Sequence, residues 1–238
     1  MRAAERFVLT ACLLALAGPN ASADGVIIDA LYHPYVHLGE QELEWRATWQ
    51  ETTPALPGDV ALHRVSYGRA VSERWFLEGY LVGLDRSGQS FELEAVEVEA
   101  LRQLTEQGEY WADWGLLLEL EKETDLDVWE ASVGIIAEKE WGQWSTTANL
   151  FLVREWGSDI EDEIESRLAV QARYRLRPAF EPAVEFHSGE DTRALGPAAT
   201  GRLRLDGGRQ LAWSAAWLFG LDTVSPDQAL RLELEFEF

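Results

Sequence analysis

The chain has 238 residues, with 20 Lys and Arg against 42 Asp and Glu, a formal net charge of −22, and 47% hydrophobic residues. A charge of that sign and size argues against nucleic acid as a partner. Beyond the N-terminus no segment approaches about 18 consecutive apolar residues, so helical membrane spans are excluded and the apolar content must be used in another way.

Arg2 and Arg6 precede an apolar run, Phe7 to Ala17, which Gly18 and Pro19 break before Ala21-Ser22-Ala23. This is the layout of a secretory signal peptide over residues 1–23, and the run is too short to span a bilayer as a helix. Leu9-Thr10-Ala11-Cys12 has the look of a lipobox, but the apolar run continues past Cys12, so the leader is read as cleaved rather than lipidated. Cys12, the single cysteine, leaves with it, and an exported chain without disulfides must draw its stability from burial or from the membrane. The leader carries two Arg and one Glu, so the mature chain keeps 18 basic and 41 acidic residues, a formal charge of −23. Its only lysines are Lys122 and Lys139; the rest of the basic residues are arginines, which stay charged and present a fork to carboxylates in a confined space.

Residues 24–39 show no alternation and are expected to form a periplasmic tail or a partial plug. His33 and His37 have a metal-like spacing, but Pro34 prevents a helix from presenting both together, so neither a metal nor a cofactor is expected.

From Gln41 onward the pattern has a period of two. In Gln41–Gln50, Leu43, Trp45, Ala47 and Trp49 oppose Glu42, Glu44, Arg46 and Thr48. Weaker strands are expected over Asp59–Ala70 and Glu73–Leu84. Phe91–Leu101 changes phase midway, and a β-bulge near Ala95–Val96 would return Glu92, Glu94, Glu97 and Glu99 to one face. Strands follow over Tyr110–Glu121, Trp129–Lys139, Gln143–Val153 and Ile164–Leu176, each with apolar residues on one face and charged or small residues on the other. Ala179–His187 and Ala199–Leu205 are weaker, and Pro182 predicts a local break because a closed sheet has no free edge to excuse its missing N–H. Gln210–Leu221 alternates again. In the last strand Leu230, Leu232, Leu234, Phe236 and Phe238 share one face, and Arg231, Glu233, Glu235 and Glu237 the other. Nine residues in strict period two are incompatible with an amphipathic helix.

A final strand of this kind, ending in a C-terminal Phe, resembles the assembly signal of proteobacterial outer-membrane β-barrels. Tyr32-His33-Pro34-Tyr35-Val36 with Gly39-Glu40 and Glu42-Leu43-Glu44-Trp45-Arg46 also resembles the start of an uncharacterised group of such barrels. The resemblance implies Phe236 and Phe238 as the signal read by the barrel-assembly machinery, and outer-membrane lipid as the surrounding phase. The expected fold is all-β: a transmembrane antiparallel up-and-down barrel of about twelve strands over residues 40–238, with both termini in the periplasm, short periplasmic turns and longer outer loops. Trp75, Trp111, Trp129, Trp141, Trp144 and Trp156 lie near strand ends, where aromatic girdles belong.

In such a barrel the lumen is two-signed. The candidate lining residues are Arg46, Glu92, Glu94, Glu97, Glu99, Glu119, Glu121, Arg167, Arg173, Arg175, Glu181, Glu185, Arg202, Arg204, Arg231, Glu233 and Glu235. The charges either pair and close the lumen or line water and filter small solutes, with a mild cation preference from the acidic excess. The loop Asp159-Ile160-Glu161-Asp162-Glu163 could hold divalent cations against anionic lipid. The function expected is passive small-solute passage or a closed structural barrel in the outer membrane, and not an enzyme. Two other classes compete: an outer-membrane hydrolase, which needs a serine within reach of a histidine, and a soluble periplasmic barrel or sandwich that binds a partner and buries the apolar face instead. His187 and Ser188 are neighbours and face opposite ways on a strand, and Ser145 and Ser214 face inward with no evident histidine.

Overall fold

The computed structural model describes residues 28–51, 58–87, 90–190 and 192–238; the signal-peptide reading falls outside them. Twelve strands follow in order: β1 Gln41–Gln50, β2 Val60–Ser72, β3 Trp75–Arg86, β4 Glu92–Gln103, β5 Asp113–Glu123, β6 Val128–Trp141, β7 Trp144–Gly157, β8 Glu163–Tyr174, β9 Glu181–Ser188, β10 Arg193–Arg204, β11 Gln210–Gly220 and β12 Gln228–Glu237. Each pairs antiparallel with its sequence neighbours, and β1 pairs β12, so the sheet closes into a barrel with no free edge. Closure runs through nine consecutive residues of β1, from Glu42 opposite Glu237 to Gln50 opposite Ala229. Both termini of the barrel wall therefore lie at one end, called here the terminal end.

The apolar face of the alternation points outward. Leu230, Leu232 and Leu234 of β12 are exposed, whereas Arg231 between them is only 1% exposed. Leu43, Val65, Leu81, Val98, Val133, Leu152, Val184 and Trp217 continue the outer belt around the barrel. Outward-facing charges fall near strand ends, at Arg69, Asp85, Arg102, Lys122, Lys139 and Arg154. Tryptophans accompany them. Trp129 stacks on Trp156 with Lys122 and Arg154 over the rings at the far end, while Trp75 under Arg102, Trp141 and the Trp144–Tyr174 pair lie at the terminal end. Trp111 lies in the connection between β4 and β5, 74% exposed.

Three local features depart from the pattern expected of the sequence. The bulge in β4 lies one residue earlier than Ala95–Val96: Val82 faces Ala95 and Gly83 faces Leu93, leaving Glu94 unpaired in the ladder, with Arg86 on its carboxylate at 3.3 Å. Pro182 lies inside β9 opposite Ala199, without a break on that side. The β8–β9 ladder instead stops at Ala183, so the missing N–H costs no hydrogen bond to β8. Third, β10 begins at Arg193, not near Ala199. Gly196-Pro197 hid its first half, and it is there that the β10–β11 ladder skips from Leu195 to Ala198. The connection after β9 is correspondingly short, residues 189–192. The β2–β3 and β6–β7 turns are tight, while Leu104–Ala112 at the same terminal end is long.

Residues 28–37 run inside the barrel. Ile28 packs with Ala194, Ala216, Leu218 and Ala229; Tyr32 packs against Leu117, Ile136, Phe151 and Val153; Val36 packs with Ala70 and Phe76. Two glycines of the wall make the room. A Cβ on Gly115 would come to 3.0 Å from Pro34 of the strap, and one on Gly134 would enter the ring of Phe151, the wall residue against which Tyr32 packs.

Candidate functional site

The interior is organised by the register. Arg231, Arg46 and Arg64 lie on three successive strands, β12, β1 and β2, with Arg46 directly opposite Arg64. Like charges so placed repel, and the strap supplies the counter-ion. Asp29 Oδ1 lies 2.7 Å from Arg46 and 3.2 Å from Arg64, while Arg231 donates to the Asp29 carbonyl at 2.8 Å and to Glu185 at 2.9 Å. Burial alone would raise the Asp29 pKa, but the Arg64 and Arg46 guanidiniums and the Ala30 N–H outweigh it and hold the carboxyl well below the usual carboxylate range. An acid with a depressed folded pKa contributes stability above its unfolded value and loses it only as pH falls through the folded value. This clamp is therefore expected to hold from neutral pH down to about 4, where free aspartate titrates. Protection of the strap amides against hydrogen exchange, relative to the intrinsic rate at each pH and unchanged across that range, is the check.

Below the clamp the strap is tied at each step toward the terminal end. Asn149 pairs with the Tyr32 backbone through Oδ1 and Nδ2 at 2.7 and 2.9 Å, and the Tyr32 hydroxyl donates to Glu99 at 2.7 Å. His33 Nδ1 meets Glu138 at 2.6 Å, the Tyr35 hydroxyl donates to Asp113 at 2.9 Å, and the Val36 N–H donates to Gln103 at 2.9 Å. Every contact joins a residue of the strap to a wall residue far away in sequence, which is why no local pattern announced it.

Around this axis most candidate charges are engaged. Glu97 and Glu121 face Arg64 at 3.2 and 3.9 Å, and Glu119 accepts from Ser132. Arg167 and Arg173 of β8, and Arg175 just beyond it, reach across β7 to Glu130, Glu138 and Glu140 of β6; for the last two pairs the intervening inner face carries the small polar residues Ser145 and Thr147. Arg173 also meets Glu181 at 3.4 Å, and Glu185 accepts from Gln171 at 2.8 Å. Glu92 is exposed at the start of β4. Sequence reasoning missed Asp29, Arg64 and Glu78 as interior groups, and left Glu138, on the charged face of its strand, out of the lining candidates. Asp29 sits outside any alternating segment, and Arg64 and Glu78 sit in the two strands whose phase was weakest.

Toward the terminal end the lumen widens into a cavity of about 1060 Å³. One wall carries Glu40, Glu42, Glu44, Glu78, Glu233 and Glu235, and another carries Arg173, Arg175, Arg177, Arg202 and Arg204. The acidic wall includes like charges face to face, Glu42 opposite Glu237 and Glu44 opposite Glu235, with Arg46 at 3.0 Å from Glu44 and Arg202 at 3.6 Å from Glu237 as the nearest guanidiniums. Phe236 and Phe238 stack outside, ring centroids 5.7 Å apart, and the Phe238 N–H donates to the Gln41 carbonyl at 2.9 Å.

The hydrolase constellation is not assembled by the serines and histidines considered for it. Ser145 donates to one oxygen of Glu138 and His33 meets the other, so the carboxylate separates nucleophile from base. Ser214 donates to Glu233 at 3.1 Å. His187 faces inward against Glu185 at 3.2 Å with Ser188 on the outer face, and His63 lies outside the barrel between Trp45 and Phe91. The loop 159–163 is divided too: Asp159 accepts from the Asp127 N–H at 2.7 Å, Asp162 pairs with Arg154 at 3.0 Å, and only Glu163 joins a carboxylate group.

A closed barrel of this size, apolar outside and charged within, has close counterparts among solved structures. An outer membrane channel from Pseudomonas putida F1 superposes with a TM-score of 0.58 at 12% identity, over 88% of this chain and 98% of its own. The fold is that of the outer-membrane β-barrels. The β domain of the Bordetella autotransporter BrkA matches with a TM-score of 0.53 at 15% identity, over 85% of this chain and 100% of its own. The KdgM porin matches with a TM-score of 0.52 at 9% identity, over 83% and 99%. No protein-family model matches the chain, and no curated protein matches it.

Proposed function

We propose that the chain is a passive channel of the bacterial outer membrane whose lumen is held shut at its waist by its own N-terminal strap and whose vestibule favours cations. The observation that carries this reading is the insertion of residues 28–37 through the lumen, anchored on three arginines and lining one side of a cavity of about 1060 Å³. A lumen that served only to be filled would be packed along its length. Here packing and ion pairing are concentrated at the strap, and the carboxylates of β12, β1 and β3 face open volume beside it. Outer-membrane residence rests on the exterior belt and its rings of tryptophan with basic side chains, which suit hydrocarbon flanked by headgroups. Passage, once the strap moves, would be set by the charged rings of the wall. Both termini then face the periplasm, and the terminal Phe strand offers the edge that assembly machinery reads.

The test is planar-bilayer conductance of the refolded mature chain under a salt gradient. Rare openings with a reversal potential on the cation side are expected, and Glu233→Lys with Glu235→Lys should move that potential toward anions. A wild-type protein that opens freely and prefers anions would contradict the proposal.

A further inference from the structure

A second carboxylate group lies at the end of the barrel opposite the termini, away from the vestibule. Glu163 and Glu165 occupy alternate positions of β8 and so share its inner face, and Glu190 stands in the connection from β9 to β10. Ligand oxygens of the three lie within 4.8 Å of one another. Glu165 is 6% exposed and its Oε1 has no hydrogen-bond partner, although a buried carboxylate oxygen left unsatisfied is costly. The nearest interior guanidinium along the strand, Arg167, is committed to Glu130.

The backbone at this place adds a reason for a ligand. The β8–β9 ladder ends at Leu168 opposite Ser188, so Glu163–Arg167 continue upward without β9 beside them. Nothing in that ladder ties this half of β8 to Gly189 and Glu190, and the carboxylates of Glu165 and Glu190 face one another across the gap. We propose that a calcium ion binds Glu163, Glu165 and Glu190 and clips the upper half of β8 to the β9–β10 connection. Calcium takes six to eight oxygen ligands at about 2.3–2.6 Å in flexible geometry, so one ion spans oxygens separated as these are. Magnesium demands shorter bonds at about 2.0–2.1 Å and sheds water reluctantly, which makes it the weaker ligand here. Three carboxylates at the mouth of the barrel, two of them half-buried and Glu165 buried, belong with sites of about 10⁻⁴–10⁻³ M affinity.

The mature chain, refolded in zwitterionic detergent and stripped with EDTA, is titrated with calcium chloride by calorimetry, and the temperature at which its heat-modifiable gel band converts is recorded with and without calcium. Calcium binding with a raised conversion temperature is expected for the wild type and for Glu235→Gln, whose side chain lies in the vestibule at the other end. Glu165→Gln is expected to weaken that binding on the order of tenfold or more and to abolish the thermal response. Should Glu165→Gln fail to fold, Glu190→Gln in the exposed connection gives the same reading. No calcium response in the wild type, or an undiminished one in the Glu190 variant, overturns the proposal.

Discussion

Replacing Asp29 with Asn is expected to convert a mostly closed channel into one that opens often, and removing residues 24–36 is expected to leave it open. Asp29 is the counter-ion for Arg46 and Arg64, which face one another on neighbouring strands, and its carbonyl accepts from Arg231. The amide keeps the shape but removes the charge: Arg46 keeps Glu44 and Arg64 keeps Glu97, so the wall still holds both guanidiniums while the strap no longer attracts them. Breaking a buried pair by removing one partner costs about 3–5 kcal/mol in the general case. The wall keeps its own hydrogen bonds and outer belt, so the penalty falls on the strap. Its remaining anchors, Asn149 and Glu99 on Tyr32, Glu138 on His33, Asp113 on Tyr35 and Gln103 on Val36, are hydrogen bonds of about 0.5–3 kcal/mol each, which slow release without preventing it. Single-channel recording distinguishes the outcomes: frequent steps in the Asn variant and sustained, larger conductance in the truncation. Truncated protein that conducts like the wild type would remove the strap from any gating role.

Leu232→Arg is expected to destabilise the folded barrel by about 2–4 kcal/mol in lipid, whereas Glu233→Gln at the next position is expected to change stability little. Leu232 lies midway along β12 on the outer face, between Ala47 of β1 and Ala215 of β11, with Trp45 and Trp213 opposite Leu234 and Trp49 and Trp217 opposite Leu230. A guanidinium there meets hydrocarbon and is too far from the headgroups to reach them cheaply. Glu233 lines the vestibule with Ser214 as its partner, and its amide form keeps that hydrogen bond. Reversible urea unfolding in phospholipid vesicles, read by tryptophan fluorescence, measures both. Equal costs for the two variants, or a protein that folds in buffer without lipid or detergent, would show that the apolar belt does not face a membrane.

The neighbouring positions of β12 also mark what a reader of the sequence alone could see. Strict alternation over Leu230–Phe238 assigned each side chain to a face without reference to any other strand, because the pleat makes that choice locally. The same holds for β1, β6 and β8. The even number of strands and the all-β class followed by repetition. Where alternation was interrupted, legibility fell. Gly196-Pro197 masked half of β10, and the phase change in β4 located the bulge to within one residue but not to the residue itself, since the choice depends on which backbone groups of β3 are met.

The strap could not be placed from its own residues, for Asp29, Tyr32 and His33 acquire their roles only from Arg46, Glu99 and Glu138 on strands far along the chain. Which glutamate meets which arginine was equally out of reach. The expectation of a two-signed lumen left open whether the charges pair, and the pairing of Arg173 and Arg175 with β6 glutamates across β7 depends on barrel curvature and on the small residues between them. Periodicity along one strand is a property of the polypeptide backbone and is written in the sequence. Contacts across a closed lumen are a property of the cylinder that twelve such strands make together, and they come into being only when β1 meets β12.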